Sequence, residues 1–379
     1  MKQARILKKL IDETTITDKT KFVITTSGGK DSKVTLIVAL EYLLKVVDKK
    51  QIVVTTSDTI FEKESTYDEL NNIKNKLDKI GIEFKVLIND KFPKGMEDLI
   101  LFKKMFPSRM AKFCTEELKM KPALNYYREL SRDGFDVIAL VGKRRDESRD
   151  RVNTPDSEII YNKDFNLTVW YPIADWTETD VYSCLDESWG IPKQYFDGNK
   201  RLGCDECFQA DMKSISLMSE SRISQIEQIE ESLNWVNTKS GVNTKSGVNT
   251  TFFFRRNKTF PDGYAPVREM VAYAKEKYNF NYHTFHTRAL KAMSNKIGSK
   301  ALRYKFIQYG YIPPKSNFSK YLNGHLSVPQ KMQFDVEVLT TKILNVRERA
   351  NLLKFEKLEE IEKEDDNTAC SDCESYNLL

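Results

Sequence analysis

Six consecutive residues, Ser27-Gly28-Gly29-Lys30-Asp31-Ser32, combine the side-chain types that hold an anion. The two glycines let the backbone turn tightly, so that several N–H groups converge on one point. A helix beginning there adds the positive end of its dipole. Lys30 supplies a mobile charge, and the hydroxyls of Ser27 and Ser32 can donate to phosphate oxygens. The run lacks the G-x4-G-K-[ST] spacing of a Walker A motif. An ordinary glycine turn would not account for six suitable residues in succession.

The cysteines are the second group able to do chemistry. Cys204 and Cys207 form one C-x2-C, Cys370 and Cys373 form another, and Cys114 and Cys184 stand alone. Six cysteines in 379 residues are too sparse for a disulfide scaffold. In a reducing compartment such pairs read as metal, cluster or redox sites, or as chance. Asp365, Asp366, Asp372 and Glu374 surround the second pair, and their charge disfavours a thiolate nucleophile there.

Holding these residues in place requires a scaffold, and the first two hundred residues describe one. KFVITT (21–26), QIVVTT (51–56), FKVLI (84–88) and DVIALVG (136–142) read as buried strands. KVTLIVALEYLLKVV (33–47) and ESTYDELNNIKNKLDKIG (64–81) read as helices, the second ending at Gly81. Strands separated by helices of this length predict an α/β fold with a parallel, doubly wound sheet. The anion loop then lies between a strand and a helix. Asp58 and Thr59, and later Arg144 and Glu147, follow the C-terminal ends of strands, where open α/β sheets bind ligands. An Arg at such a place can clamp phosphate, and a Glu can orient it or hold a metal.

Charge is segregated along the chain. Overall, 60 Lys and Arg against 55 Asp and Glu leave a formal charge of +5. Residues 251–330 hold fourteen basic and three acidic residues together with sixteen Phe and Tyr, whereas 331–379 hold seven basic and twelve acidic. The expected organisation is a body over 1–235, a linker over 236–250, a basic aromatic segment over 251–330, and an acidic helical tail over 331–379. The linker is VNTKSG written twice with a partial third copy. Lys and Arg interleaved with Phe and Tyr suit a surface that neutralises phosphates and stacks unpaired bases. The same pattern also describes a core with a solvated face. No run approaches the ~18 apolar residues of a membrane span, and the first residues lack a signal-peptide core, so a cytoplasmic protein without a membrane partner is expected.

The loop is the first of four stretches, in order, that resemble the PP-loop ATP pyrophosphatases and, within them, the phosphoadenosine phosphosulfate (PAPS) reductase family. SRMAKFCTEELKMKP (108–122) resembles the family's R-x-C-T-x-x-L-K-x-x-P segment. LVGKRRDESRDR (140–151) resembles its G-x-R-x-x-E-S element, and 171–207, from YPIADW to GCDEC, its Y-P-I-x-D-W segment and G-C-x-x-C. Where the family continues D-T-G after the second strand, this chain has Ile60.

The resemblance implies an adenine nucleotide alpha hydrolase-like fold with a C-terminal, mainly helical extension. It implies ATP with Mg²⁺, held by Ser27, Gly28, Gly29, Lys30, Asp31, Ser32, Asp58, Thr59, Lys119 and Arg144. Arg109 would add positive charge at the same mouth. Lys30, Asp31, Arg144 and Glu147 are the expected catalytic residues, in adenylating chemistry for sulfur transfer to a nucleic acid. Cys114, Cys204 and Cys207 stand where metal-bearing relatives carry ligating thiolates, which implies a [4Fe–4S] cluster or Zn²⁺, or else a sulfur-relaying pair. A fourth ligand would be Cys184, a tail cysteine or another group. The alternative is a PAPS reductase that uses Cys370 or Cys373 with thioredoxin, although the family's Glu-Cys-Gly-Ile-His tail is missing. A third reading is a nucleotide-sensing subunit. The implied partners are an adenine nucleotide, a sulfur donor protein or thioredoxin, and nucleic acid bound through 251–330.

Overall fold

The computed structural model describes residues 3–344 apart from 109–110, 162–164, 193–194, 196–201, 203, 205–206, 208–209, 211, 240–250, 255–263, 278–284, 309–314, 324–327, 329–331, 333–335, 337–338 and 341–342. Arg109, Cys370 and Cys373 therefore lie outside the described residues.

Six strands make one sheet: β1 (Thr20–Thr25), β2 (Ile52–Ser57), β3 (Glu83–Leu87), β4 (Asp136–Leu140), β5 (Ser157–Tyr161) and β6 (Asn166–Trp170), in the order β3-β2-β1-β4-β6-β5. Every neighbouring pair is parallel except β5 with β6. The central strands are apolar because both faces are covered: Phe22, Val23, Ile24, Val53 and Val54 are fully buried. Phe22 sits level with Ile52 on one side and Ile138 on the other, so β1, β2 and β4 end together at one edge of the sheet. The antiparallel edge strand β5 departs from the all-parallel expectation. Its Ile159 and Tyr161 face solvent, so it carries no continuous buried run by which the sequence would reveal it.

Helices cover the sheet. α1 (Arg5–Glu13) buries Ile6, Leu7 and Leu10, and α2 (Lys30–Leu43) is buried along most of its length. α3 (Glu64–Ile80) places Leu70, Ile73 and Leu77 three and four residues apart on one face. After α4 (Met96–Lys103), residues 113–120 form a short helical turn and a π-type turn that leads into α5 (Lys121–Arg132). α6 (Glu178–Glu187) starts at a capping box, in which Thr177 and Asp180 exchange hydrogen bonds.

Ile60 is left-handed, with φ +54, although a β-branched side chain disfavours that region. Asp58 accepts a hydrogen bond from the Ile60 N–H (2.7 Å), and Gly95 packs against the turn so closely that a Cβ there would lie 2.0 Å from the Thr59 carbonyl oxygen. The turn thus keeps the backbone shape that a glycine would give, held from outside.

The C-terminal half adds α7 (Met212–Ser216), α8 (Glu220–Lys239), α9 (Val267–Lys277), α10 (Phe285–Ile297), α11 (Ser299–Gln308) and α12 (Lys315–Leu322), with a two-stranded pair, β7 (Phe253–Phe254) and β8 (Tyr264–Ala265). α8 runs into the first VNTKSG copy; the rest of the repeat lies outside the described residues. Phe252, Phe253 and Met270 share a core with Phe61, Leu99 and Ile226, while Phe306 and Phe318 share another with Tyr182 and Tyr195. At these positions the aromatics of 251–330 are core rather than a stacking surface. Arg255 and Arg256 lie outside the described residues. No helix among the described residues is long and apolar enough to cross a membrane.

Glu230 of α8 is buried and accepts hydrogen bonds from the backbone N–H of Phe252 (2.8 Å) and Val267 (3.2 Å). Burial raises its carboxyl to about 7, whereas an unfolded chain releases the proton near 4.5. Between those values the folded state holds the extra proton. Its contribution is therefore complete below 4.5 and lost as pH rises through 7, about 3 kcal/mol in all. Glu230→Gln keeps an acceptor and removes the charge. In urea unfolding it is expected to match the parent at pH 5 and to be more stable at pH 8.

Candidate nucleotide site

The sheet order reverses direction at β1, with β2 and β3 laid down on one side and β4 on the other. A crevice opens at such a switch point, beyond the C-terminal ends of the strands. Ser27–Ser32 occupies it. Thr26 N–H donates to the Thr55 carbonyl (2.8 Å), Ser27 N–H donates to Ser32 Oγ (3.1 Å), and Ser32 Oγ donates to the Gly29 carbonyl (3.0 Å). Gly28 sits at φ +75, and Gly29 is the extended residue before the first turn of α2. From the other side Gly142, two residues after β4, comes so near that a Cβ would lie 2.9 Å from the backbone of Asp31 and Ser32.

The charged residues of the loop are tied to the far side of the switch point. Arg144 is buried; its Nε donates to Asp31 Oδ1 (2.5 Å), and Nη1 lies 3.5 Å from Asp146 Oδ2. Burial opposes the guanidinium charge, but Asp31 more than restores it, and the net shift is upward. Lys30 Nζ lies 3.5 Å from both Asp31 Oδ2 and Glu178 Oε1 and 5.6 Å from the Tyr195 ring centre. The Lys30 backbone N–H donates to the Tyr195 hydroxyl (2.9 Å).

A cavity of about 400 Å³ begins at Ser27 and Ser32 and runs past Asp58, Glu62, Tyr67 and Lys119. Lys143 and Arg151 also line it. Arg144 and Glu147, expected at the reacting phosphates, do not line this cavity. Arg144 holds Asp31 of the loop, and Glu147 pairs with Arg151 four residues on. Thr59 is buried and donates to Glu62 Oε1 (2.9 Å) instead of facing the cavity. Lys143, Arg151 and Glu178 were not singled out from the sequence. The first two lay in KRRDESRDR, where a run of mixed charge hides which members turn inward.

Beyond Glu62 lie the thiols. Cys204 Sγ is 3.6 Å from Glu62 Oε1 and 3.5 Å from Thr59 Oγ1, and Glu62 and Cys204 form a β-bridge. Burial, then Glu62, pushes the Cys204 thiol up to about 12, and burial together with Cys204 pushes Cys114 up to about 11. Lys119 is held above its ordinary value by Cys204 first, and also by Glu62, Cys114 and Cys207. Cys184 is apart from this group, buried in the main core.

Among the described residues no three Cys, His, Asp or Glu side chains are arranged to hold a metal ion. Cys114, Cys204 and Cys207 thus gather around one lysine without forming the expected ligand set. Burial disfavours the thiolate at two of them in the metal-free protein. A [4Fe–4S] cluster or zinc takes four such ligands, and the described thiols near Lys119 supply three, Cys114, Cys204 and Cys207. Magnesium makes smaller demands, one or two carboxylates beside the substrate's phosphates. Asp58 and Glu62 line the cavity, and Glu62 Oε2 is buried with no hydrogen-bond partner, so this donor set fits.

Residues 21–210, half of the chain, match the phosphoadenosine phosphosulfate reductase domain. The chain belongs to this family. An uncharacterized 37.8 kDa protein of Escherichia phage 186 is 27% identical over 250 residues, 53% of this chain and 71% of the phage protein. The PAPS reductase of Candida auris, solved with phosphate, is 17% identical with a TM-score of 0.38, covering 54% of this chain and 88% of that one. The U34-tRNA thiolase NcsA of Methanococcus maripaludis, solved with its [4Fe–4S] cluster, is 14% identical with a TM-score of 0.40, covering 73% and 78%. The matched PAPS reductase domain contains the loop, Asp58, Lys119, Arg144 and the Cys204–Cys207 pair.

Proposed function

We propose that this PAPS reductase-family protein is an adenylating ATP pyrophosphatase that acts in sulfur transfer to a nucleic acid. The observation that carries the reading is the cavity, which joins the anion loop at one end to Glu62, Lys119 and the neighbouring thiols at the other. Ser27, Ser32 and the amides opening α2 bind the β- and γ-phosphates. Lys143 and Arg151 face the same space and offset the charge that builds on the leaving pyrophosphate. Asp58 and Glu62 would hold Mg²⁺, which supplies Lewis-acid polarisation of phosphate oxygens.

An oxygen of the acceptor attacks the α-phosphorus, the bond to the β-phosphate oxygen breaks, and pyrophosphate leaves. A sulfur donor then displaces AMP, which carries away the acceptor's oxygen. Arg144 acts through Asp31 as a positioning residue that fixes the start of α2.

The test is pyrophosphate release from Mg·ATP by anaerobically purified protein, with and without total cellular nucleic acid. Release that rises when nucleic acid is added supports the reading, and Lys30→Ala is expected to lower it about 100-fold. No release in either condition overturns it in favour of a sulfonucleotide reductase or a nucleotide-sensing subunit. Adding PAPS and thioredoxin and measuring sulfite then separates those two.

A further inference from the structure

We propose that the surface formed by Lys91, Phe102, Lys103 and Phe113 receives a single-stranded segment of the nucleic-acid substrate. The proposal rests on the adenylating reading above and names where its acceptor lands. Phe102, near the end of α4, is 58% exposed, unusual for so large a ring. Its edge meets Phe92 at 5.6 Å between centres. Lys91 Nζ stands 4.4 Å and Lys103 Nζ 6.0 Å from the Phe102 centre, and Lys103 also lies 5.9 Å from the centre of Phe113. On the neighbouring sheet edge, Val86 is 50% exposed.

Charge decides the occupant. The nearby Glu117 is already neutralised by Lys103 (3.4 Å) and Lys121 (2.9 Å), and Glu97 lies 3.3 Å from Lys94. Among the described residues the Lys91 ammonium has no ion pair and lies over two aromatic rings. Open rings framed by lysines are what a phosphate-linked chain of stacking bases requires. An apolar peptide would leave the Lys91 ammonium without a counter-charge.

The location fits the chemistry. Phe113 is followed directly by Cys114, Asn89 Nδ2 ties the end of β3 to the Glu117 carbonyl (2.8 Å), and Val86 lines the nucleotide cavity. A base stacked at Phe102 and Phe113 therefore lies on the path toward Cys114 and Lys119. The buried aromatics of 251–330 offer no such platform.

The experiment measures binding of a fluorescein-labelled single-stranded RNA of about 15 nucleotides by polarisation, between about 50 and about 200 mM salt. Phe102→Ala is expected to weaken binding about 10-fold, the loss of one stacked base. Lys91→Glu should weaken it at low salt and reduce the salt slope by about one. Neither residue touches the nucleotide cavity, so pyrophosphate release without nucleic acid is expected to stay unchanged in both. If wild type binds the RNA in a salt-dependent way and both variants bind equally well, this surface is the wrong one and the adenylating reading survives. If wild type releases pyrophosphate but binds no RNA, the nucleic-acid acceptor is wrong and this surface falls with it.

Discussion

Gly142→Ala is expected to remove nucleotide binding while leaving a folded protein. The glycine has no unusual backbone angle to protect, so the effect is steric. A methyl group there would sit 2.9 Å from the Asp31 carbonyl and the Ser32 Cα, both backbone atoms that cannot rotate away. The relief available is a shift of the whole loop by several tenths of an ångström, which misplaces the amides that face the phosphates. Misplacements approaching 1 Å cost about two orders of magnitude in rate, and a loss of that size or larger in ATP affinity is expected by calorimetry. Stability should fall by only about 1–3 kcal/mol, an ordinary overpacking cost. A Gly142→Ala protein that binds ATP as wild type does would mean that the loop is not the phosphate site.

The second large effect concerns the pair behind the loop. Asp31→Asn leaves Arg144 charged, 3% exposed at its side chain and missing its main counter-charge. Removing one member of a buried pair costs about 3–5 kcal/mol, and because Asp146 stays 3.5 Å away the expected loss is about 3 kcal/mol. Arg144→Met should cost less, since Asp31 is more exposed and keeps Lys30 at 3.5 Å. The double variant is expected to be more stable than Asp31→Asn alone, a negative coupling that urea unfolding of the full cycle reads directly. Equal and additive losses would show that the pair does not interact as the geometry implies.

Much of this fold is legible before any coordinates. KFVITT, QIVVTT and DVIALVG are continuous apolar runs because they are sandwiched on both faces, and each matches its strand within one or two residues. β5 escapes such a reading for the opposite reason. A short edge strand with Ile159 and Tyr161 in solvent has no buried pattern to display, whereas its five-residue partner β6 buries Leu167, Val169 and Trp170. The site divides in the same way. Ser27–Ser32 is visible because an anion loop is local, six residues doing one job. Lys30 against Glu178, and Cys204 against Glu62, are contacts between residues more than a hundred positions apart, which only the closed sheet brings together. Arg144 shows what a sequence leaves out, because its side chain is buried against Asp31 of the loop, a pairing across more than a hundred positions. The aromatic richness of 251–330 was ambiguous for a related reason: composition counts rings without saying which of them are covered.

β1 lies in the interior of the sheet, hydrogen-bonded along both sides, and the phosphate loop continues directly from it. Amides in such a strand exchange with solvent only when the protein opens globally, whereas edge strands such as β3 and β5 can fray at far lower cost. The candidate anion loop is therefore anchored at one end in the last strand to open. Mild heat or denaturant should loosen the rims while the amides of β1 stay slow to exchange, and the loop should lose its anchor only in the same transition as the fold itself.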